Sequence, residues 1–221
     1  MSADLPIGTR FGTADPAHLI ATRMNRHTFW CGQSGSGKTY ALGVLLEQVL
    51  LHTRLPLVIL DPNSDFVRIV EAHDDAPPAL AAELADREIA VLRRTPDSAK
   101  GELPLRIRFV DMALASRAAL MQIDPVDDAD DFNAMLRVEA ILREKIEAID
   151  LTANNQDLAD VRESLIPQLR ASEVPEFIRL ATRLENLGVA DWDLWAWADE
   201  PAPEVIARRP DATVVDLGGY D

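Results

Sequence analysis

One cysteine in 221 residues leaves no partner for an internal disulfide. That suits a reducing cytosol, and the expected location is cytoplasmic. Cys31 is expected to act as a small buried hydrophobe rather than as a reactive thiol. Long apolar runs are also missing, so nothing in the chain reads as a bilayer-spanning segment and no membrane association is expected. The start, Met-Ser-Ala-Asp-Leu-Pro, has neither the basic segment nor the apolar stretch of a secretory leader. Positive charge is scarce: 22 Lys and Arg stand against 37 Asp and Glu, for a net charge of −15. Phosphate neutralisation supplies most non-specific affinity for nucleic acid, so this balance excludes binding over the whole surface and leaves only a local basic patch. Internal repeats and low-complexity segments are absent. What remains is an ordinary folded composition, 48% hydrophobic, long enough for one generous domain or for a core domain with an insertion.

The strongest local signal is Gly32-Gln33-Ser34-Gly35-Ser36-Gly37-Lys38-Thr39, which satisfies G-x-x-x-x-G-K-[ST]. A short apolar run, Thr28 to Cys31, precedes it and is expected to be the first core strand, opened by Arg26 and His27. Tyr40 to Leu51 follows with apolar residues at helical spacing. This strand–loop–helix setting turns a pattern into a site. Glycines let the backbone wrap a phosphate at close range and take positive φ. Successive N–H groups and the helix N-terminus then offer partial positive charge. In such a loop Lys38 reaches the β- and γ-phosphates and the Thr39 hydroxyl completes a Mg²⁺ shell. The ligands expected are a nucleoside triphosphate and Mg²⁺, held by Gly32, Gln33, Ser34, Gly35, Ser36, Gly37, Lys38, Thr39 and Tyr40, with Thr39 on the metal.

Residues 1–26 read as a lead-in with turn signals at Pro6, Gly8, Gly12 and Asp15-Pro16. After the first helix, Leu57-Val58-Ile59-Leu60-Asp61 is a continuous apolar run bounded by prolines. It is expected to be a strand buried on both faces of a parallel sheet. Asp61 ends it, at the edge where ligands of open α/β sheets collect, and whether it reaches a bound nucleotide depends on strand order. Strands are also predicted at Ile89–Arg93 and Leu105–Val110, the second alternating apolar residues with Arg106 and Arg108. From 111 to 198 the periodicity is helical. One face of a long helix carries Phe132, Met135, Leu136, Leu142, Ile146 and Ile149. A second helix covers roughly 155–170, and a third about 174–187, packing Phe177, Leu180, Leu184 and Leu187 inward before a Gly188 cap. The acidic stretch Asp127 to Asp131 fits a helix N-terminus better than a cation site. The tryptophans at 192, 195 and 197 fit helix anchors better than base-stacking platforms. Thr213–Leu217 returns the chain to the sheet.

The P-loop with its Tyr40, the Leu60-Asp61-Pro62-Asn63-Ser64-Asp65-Phe66 strand end twenty-odd residues later, and the Thr213–Leu217 strand together resemble the HerA-like ATPases of the HerA–FtsK superfamily. That resemblance covers the chain from about residue 8 onward. It implies an α/β fold: a P-loop NTPase, RecA/ASCE-like, with a mostly parallel sheet and an all-α insertion. The corresponding division is a lead-in at 1–26, a P-loop core at 27–111, a helical insertion at 112–200 and a return strand at 211–221. It further implies a homo-oligomer, a hexameric ring that hydrolyses ATP and moves duplex DNA through a central pore, with a partner nuclease. Lys38 and Asp61 would then serve catalysis, and Arg26 would contact phosphate or a neighbouring subunit. The family's Walker B Asp-Glu pair is expected after Asp216 and does not follow it. The chain thus reads as the N-terminal part of an ATPase domain that binds ATP and turns it over slowly. Two other classes stay open: a nucleotide-binding interaction module without catalysis, and a small-molecule P-loop kinase.

Overall fold

The structure is a computed structural model and describes residues 4–24, 26–150, 166–196 and 200–220. The chain divides into two compact units, Met1–Leu105 with Pro203–Asp221, and Arg106–Ala202.

The first unit is an α/β sandwich. Strands β1 (Asp4–Thr9) and β2 (Pro16–Ile20) form an antiparallel hairpin. Its turn is closed by the Arg10 N–H donating to the Asp15 carbonyl at 2.8 Å, with Gly12 at φ 73°. Helix α1 (Lys38–His52) follows, then β3 (Leu57–Asp61), α2 (Pro78–Ala85), β4 (Ile89–Arg93) and the two-residue β5 (Leu103–Pro104). After the second unit the chain returns through the short α6 (Ala202–Ala207) to β6 (Ala212–Asp216). The sheet runs β3-β6-β4-β5, and every pairing in it is parallel. β6 is therefore a central strand, and all five of its residues are buried. That is the pattern of a strand covered on both faces.

α1 joins the two parts of this unit. Leu45 and Val49 pack with Leu5 and Ala21 of the hairpin side. Leu50 packs with Leu57 and Ala212, and Leu46 one turn earlier packs with Ile59 and Val214. Moving back along the helix thus moves forward along β3 and β6. This direction places the α1 N-terminus at the carboxyl end of the sheet.

Three expectations about the strands fail here. Residues 26–31 form no strand: Phe29 is 90% exposed and Cys31 is exposed rather than buried. With no sheet partner, the run has no surface on which to bury its apolar side chains. β3, in turn, is an edge strand and not one buried on both faces. Ile59 points into the core, whereas Val58 and Leu60 on the opposite face are 51% and 67% exposed. The third mismatch is at Leu105–Val110. Instead of a sheet strand, this stretch makes one parallel bridge, Ile107 to Trp195, followed by a single 3₁₀ turn at Phe109–Asp111.

The second unit is helical: α3 (Leu114–Leu120), α4 (Ala129–Asp150), a helical stretch at 166–171 and α5 (Pro175–Leu187). Most of the helix expected at 155–170 lies outside the described residues. α5 carries its apolar residues at i, i+3 and i+7. Leu180, Ala181 and Leu184 are buried, and Phe177 and Leu187 pack against the same core. Gly188 ends it in the left-handed conformation at φ 61°, its N–H returning to the Leu184 and Glu185 carbonyls as a C-cap should. Met135 and Val138 of α4 reach the same core. Trp195 anchors the chain there. Its Nε1 donates to the Val189 carbonyl at 2.6 Å, its ring meets Phe109 edge-on at 5.5 Å, and Trp192 stacks on it at 6.1 Å. The acidic stretch before α4 is spent on structure. Asp131 accepts from Arg179 at 2.8 Å and Arg183 at 3.2 Å, and Asp128 accepts from the Asp124 N–H.

Arg117, buried at 4% exposure, pairs with Glu139 of α4 at 2.9 Å, and Arg143 joins the same carboxylate at 3.1 Å. Burial alone would raise the Glu139 pKa, but the hydrogen bonds from Arg117 and Arg143 outweigh it and hold the group below its ordinary value of 4.5. A carboxyl with a depressed folded-state pKa contributes stability that is complete above the unfolded value. That stability is lost as pH falls through the folded one. Glu139→Gln is therefore expected to lower the melting temperature at neutral pH, with the gap from the unaltered protein shrinking as pH drops below 4.5. Melting curves followed by circular dichroism across that range check this, and a gap independent of pH would refute it.

Candidate functional site

Residues 32–37 form an exposed loop that leads directly into α1. Its shape follows from glycine. Gly35 and Gly37 sit at φ 77° and 81°, in the left-handed region that costs a side-chain-bearing residue roughly 1–2 kcal/mol. Space at Gly32 is tight: a Cβ there would lie 2.8 Å from Ser36 Oγ and 3.1 Å from Lys38 Cγ, so those side chains would have to shift. The Ser36 N–H donates to the Gln33 carbonyl at 3.1 Å and closes the turn. Lys38 folds back over the loop, its Nζ donating to the Gln33 carbonyl at 2.8 Å. Gly37 is the N-cap of α1 and provides no side-chain cap. The first-turn N–H groups of a fifteen-residue helix are thus left facing the loop, where the helix dipole favours an anion. Thr39 and Tyr40 are exposed on that first turn, Tyr40 at 80%. Donor-rich, glycine-shaped and capped by an ammonium, the loop fits a polyphosphate.

Asp61 stands at the carboxyl end of β3, the end toward which α1 presents its N-terminus. It is 1% exposed, and both carboxylate oxygens serve its own turn. Oδ1 accepts from the Asp65 N–H at 3.0 Å and Oδ2 from the Phe66 N–H at 2.7 Å. The carboxylate therefore orders the segment Asn63–Phe66, while the side chains of Asn63 and Asp65 in that segment are exposed.

Sequence reasoning missed a second buried carboxylate. Asp216 ends β6 in register with Asp61 and is 2% exposed. It accepts from Ser64 Oγ at 2.7 Å, Arg93 Nε at 2.8 Å and the Gly218 N–H at 3.0 Å. Arg93 ends β4 and is shared with Glu102 at 3.2 Å. The Asp216 hydrogen bond is the main reason its guanidinium pKa is raised, with the Glu102 charge adding to the effect. Glu102 also accepts from the Asp97 N–H at 2.8 Å, and Tyr220 Oη donates to the Leu105 carbonyl at 3.2 Å. Three neighbouring parallel strands thus end in the row Asp61, Asp216, Arg93. One signal was available in the sequence: two apolar runs, at 57–61 and 212–216, each close on aspartate. What the sequence withholds is that the two runs are hydrogen-bonded neighbours.

Among the described residues no group of three or more His, Cys, Asp or Glu side chains is placed to hold a metal ion. A cation at this site would be held by Thr39 together with the ligand's own phosphates, the usual arrangement for Mg²⁺. Also among the described residues, no helix is long and apolar enough to cross a membrane.

Comparison with known proteins places the whole arrangement. No curated protein matches the chain. A family match does exist, to the one described as "Helicase HerA, central domain", and it runs over residues 5–221. It takes in all but the first residue of the hairpin, together with the loop at 32–37, the helical unit and β6. The chain belongs to the HerA central-domain family of ATPases.

Proposed function

We propose that this chain is the ATP-binding domain of a ring-forming DNA motor, with nucleotide and Mg²⁺ held by residues 32–40. The observation that carries the reading is the loop itself. Two left-handed glycines, a third whose Cβ position is crowded by Ser36 and Lys38, and an uncapped helix N-terminus make up the loop that carries the Lys38 ammonium. In this reading the N–H groups of Gly35 to Thr39 bind the phosphates. Lys38 exchanges its bond to the Gln33 carbonyl for the β- and γ-oxygens, and Thr39 supplies one ligand to the metal. Bound Mg²⁺ would neutralise charge on the transferring phosphoryl group. Tyr40, exposed beside the loop, would flank the nucleotide. Asp61, expected from the sequence to be catalytic, contributes here by ordering the turn at the sheet's carboxyl end.

The acidic composition fits DNA held in a pore lined by a few basic residues rather than over the whole surface. A homo-hexameric ring, duplex DNA in its channel, a nuclease partner and a cytoplasmic setting complete the proposal. A second reading, a nucleotide-binding module with little turnover, is favoured by one observation. Both buried carboxylates at the sheet end, Asp61 and Asp216, already serve structural donors. DNA-stimulated ATP hydrolysis together with ring assembly, measured by phosphate release and light scattering, supports the motor. Tight binding by a monomer indifferent to DNA supports the module.

Lys38→Ala removes a charge-assisted bond of about 2 kcal/mol, so Mg-ATP affinity should fall roughly 30-fold with little change in melting temperature. Titration with a fluorescent ATP analogue reads this directly, and an unchanged affinity would sink the proposal. Gly32→Ala tests the loop from another direction. The added methyl must push Ser36 or Lys38 aside, so nucleotide binding should weaken about tenfold or more while the α1 core is untouched. If Gly32→Ala binds normally, the close approach at Gly32 has no part in phosphate recognition.

A further inference from the structure

Three loops leave the sheet at its carboxyl end, after β3, β4 and β6, and one connected set of polar bonds ties them together. Asp216 sits at the centre, 2% exposed, with donors from all three loops or strand ends: Ser64, Arg93 and Gly218. Through Arg93 the set reaches Glu102, and through Glu102 the Asp97 N–H. A further pair, Lys100 to Glu71 at 3.2 Å, joins the β4 loop back to the segment that follows β3.

Ser64 is the member under most constraint. Its φ of 60° lies in the left-handed region that a residue with a Cβ occupies only when its surroundings hold it there. What holds it is the hydroxyl bond to Asp216, on one side, and Gly218 on the other. A Cβ at Gly218 would come within 2.2 Å of Ser64 Oγ, so the two loops interlock without space for a side chain. The same turn is fixed from below by Asp61 through the Asp65 and Phe66 N–H groups. A turn gripped by two buried carboxylates presents its exposed side chains, Asn63 and Asp65, in a single arrangement. It does so at the sheet end toward which α1 presents the phosphate loop.

We propose that Arg93 and Ser64 are positioning residues for the phosphate site. Arg93 fixes the Asp216 carboxylate, Asp216 fixes Ser64, and Ser64 sets the turn that faces the terminal phosphate and its metal. This rests on the reading of residues 32–40 as a Mg-nucleotide site and extends it to the side of the γ-phosphate. The α- and β-phosphates are bound by the loop backbone, so they do not depend on the Asn63–Phe66 turn. The γ-phosphate projects beyond that cradle. Damage to the network therefore costs ATP more than ADP.

The test compares binding of ATPγS and ADP, each with Mg²⁺, to the unaltered protein, Ser64→Ala, Arg93→Met, the double variant Arg93→Met/Asp216→Asn, and Lys38→Ala. Ser64→Ala removes one bond to a buried carboxylate and should weaken ATPγS about fivefold to tenfold. ADP affinity should stay within about twofold, a difference that general destabilisation would not produce. Arg93→Met should show the same selectivity. Where loss of the charge partner unfolds it, the double variant removes the Asp216 charge as well, leaves Glu102 its bond from the Asp97 N–H and keeps an amide oxygen for Ser64, so it restores folding and ATPγS preference. Equal losses for ATPγS and ADP, or none for either, overturn the positioning role. If Lys38→Ala binds both nucleotides as well as the unaltered protein, the nucleotide reading fails instead, and the two failures are told apart within one experiment.

Discussion

Strand β6 is the constraint on which the first unit depends. β3 and β4 do not pair with each other; each pairs with β6, from opposite sides. Take it away and the sheet is an isolated strand beside a two-stranded fragment, with Ile59 and Val91 deprived of the Val214 they share. The core beneath α1 and the row of charged residues at the strand ends have the same origin. Ala212 and Val214 bring the apolar contacts and, two residues on, Asp216 brings the polar ones.

That row shows how an acidic chain can afford buried carboxylates. Asp61 and Asp216 are register partners on adjacent strands, both almost wholly removed from water. Burying a charge is expensive unless it is paired or densely hydrogen-bonded, and the two are satisfied by different means. Asp61 takes backbone N–H groups from the turn it heads. Asp216 takes a guanidinium, a hydroxyl and one backbone N–H. Local chemistry satisfies the first, and chain segments more than a hundred residues apart satisfy the second.

The same contrast explains what could be read from the sequence. Features encoded within a dozen residues were legible: the glycine-rich loop that leads into α1, the strands at 89–93 and 212–216, the apolar face of α5 and its Gly188 stop. The family was legible too, because its motifs are short and adjacent to these elements. Features decided by partners were not. Thr28 to Cys31 has the composition of a strand yet finds no neighbour to pair with, leaving Phe29 and Cys31 in solvent. β3 has the composition of a central strand and lies at an edge, since strand order is not written in the strand. Leu105–Val110 alternates as a strand should, but Ile107 meets Trp195 for a single bridge, and the rest is drawn into the helical core through Phe109. Arg93 and Ser64 escaped notice for the same reason, since their significance is the carboxylate 123 and 152 residues away.

The place of β6 in the middle of the sheet also has a temporal side. A ribosome adding about 5–20 residues per second needs roughly ten seconds to travel from Arg93 to Ala212. During that interval β3 and β4 exist without the strand that joins them, and their parallel edges are open to any other extended chain. The helical unit, Arg106–Ala202, is synthesised within that interval and can fold while the sheet waits. The row Asp61, Asp216, Arg93 at the strand ends is thus completed last in this stretch of the polypeptide. A nascent chain interrupted inside the helical unit would present apolar strand edges rather than a joined sheet.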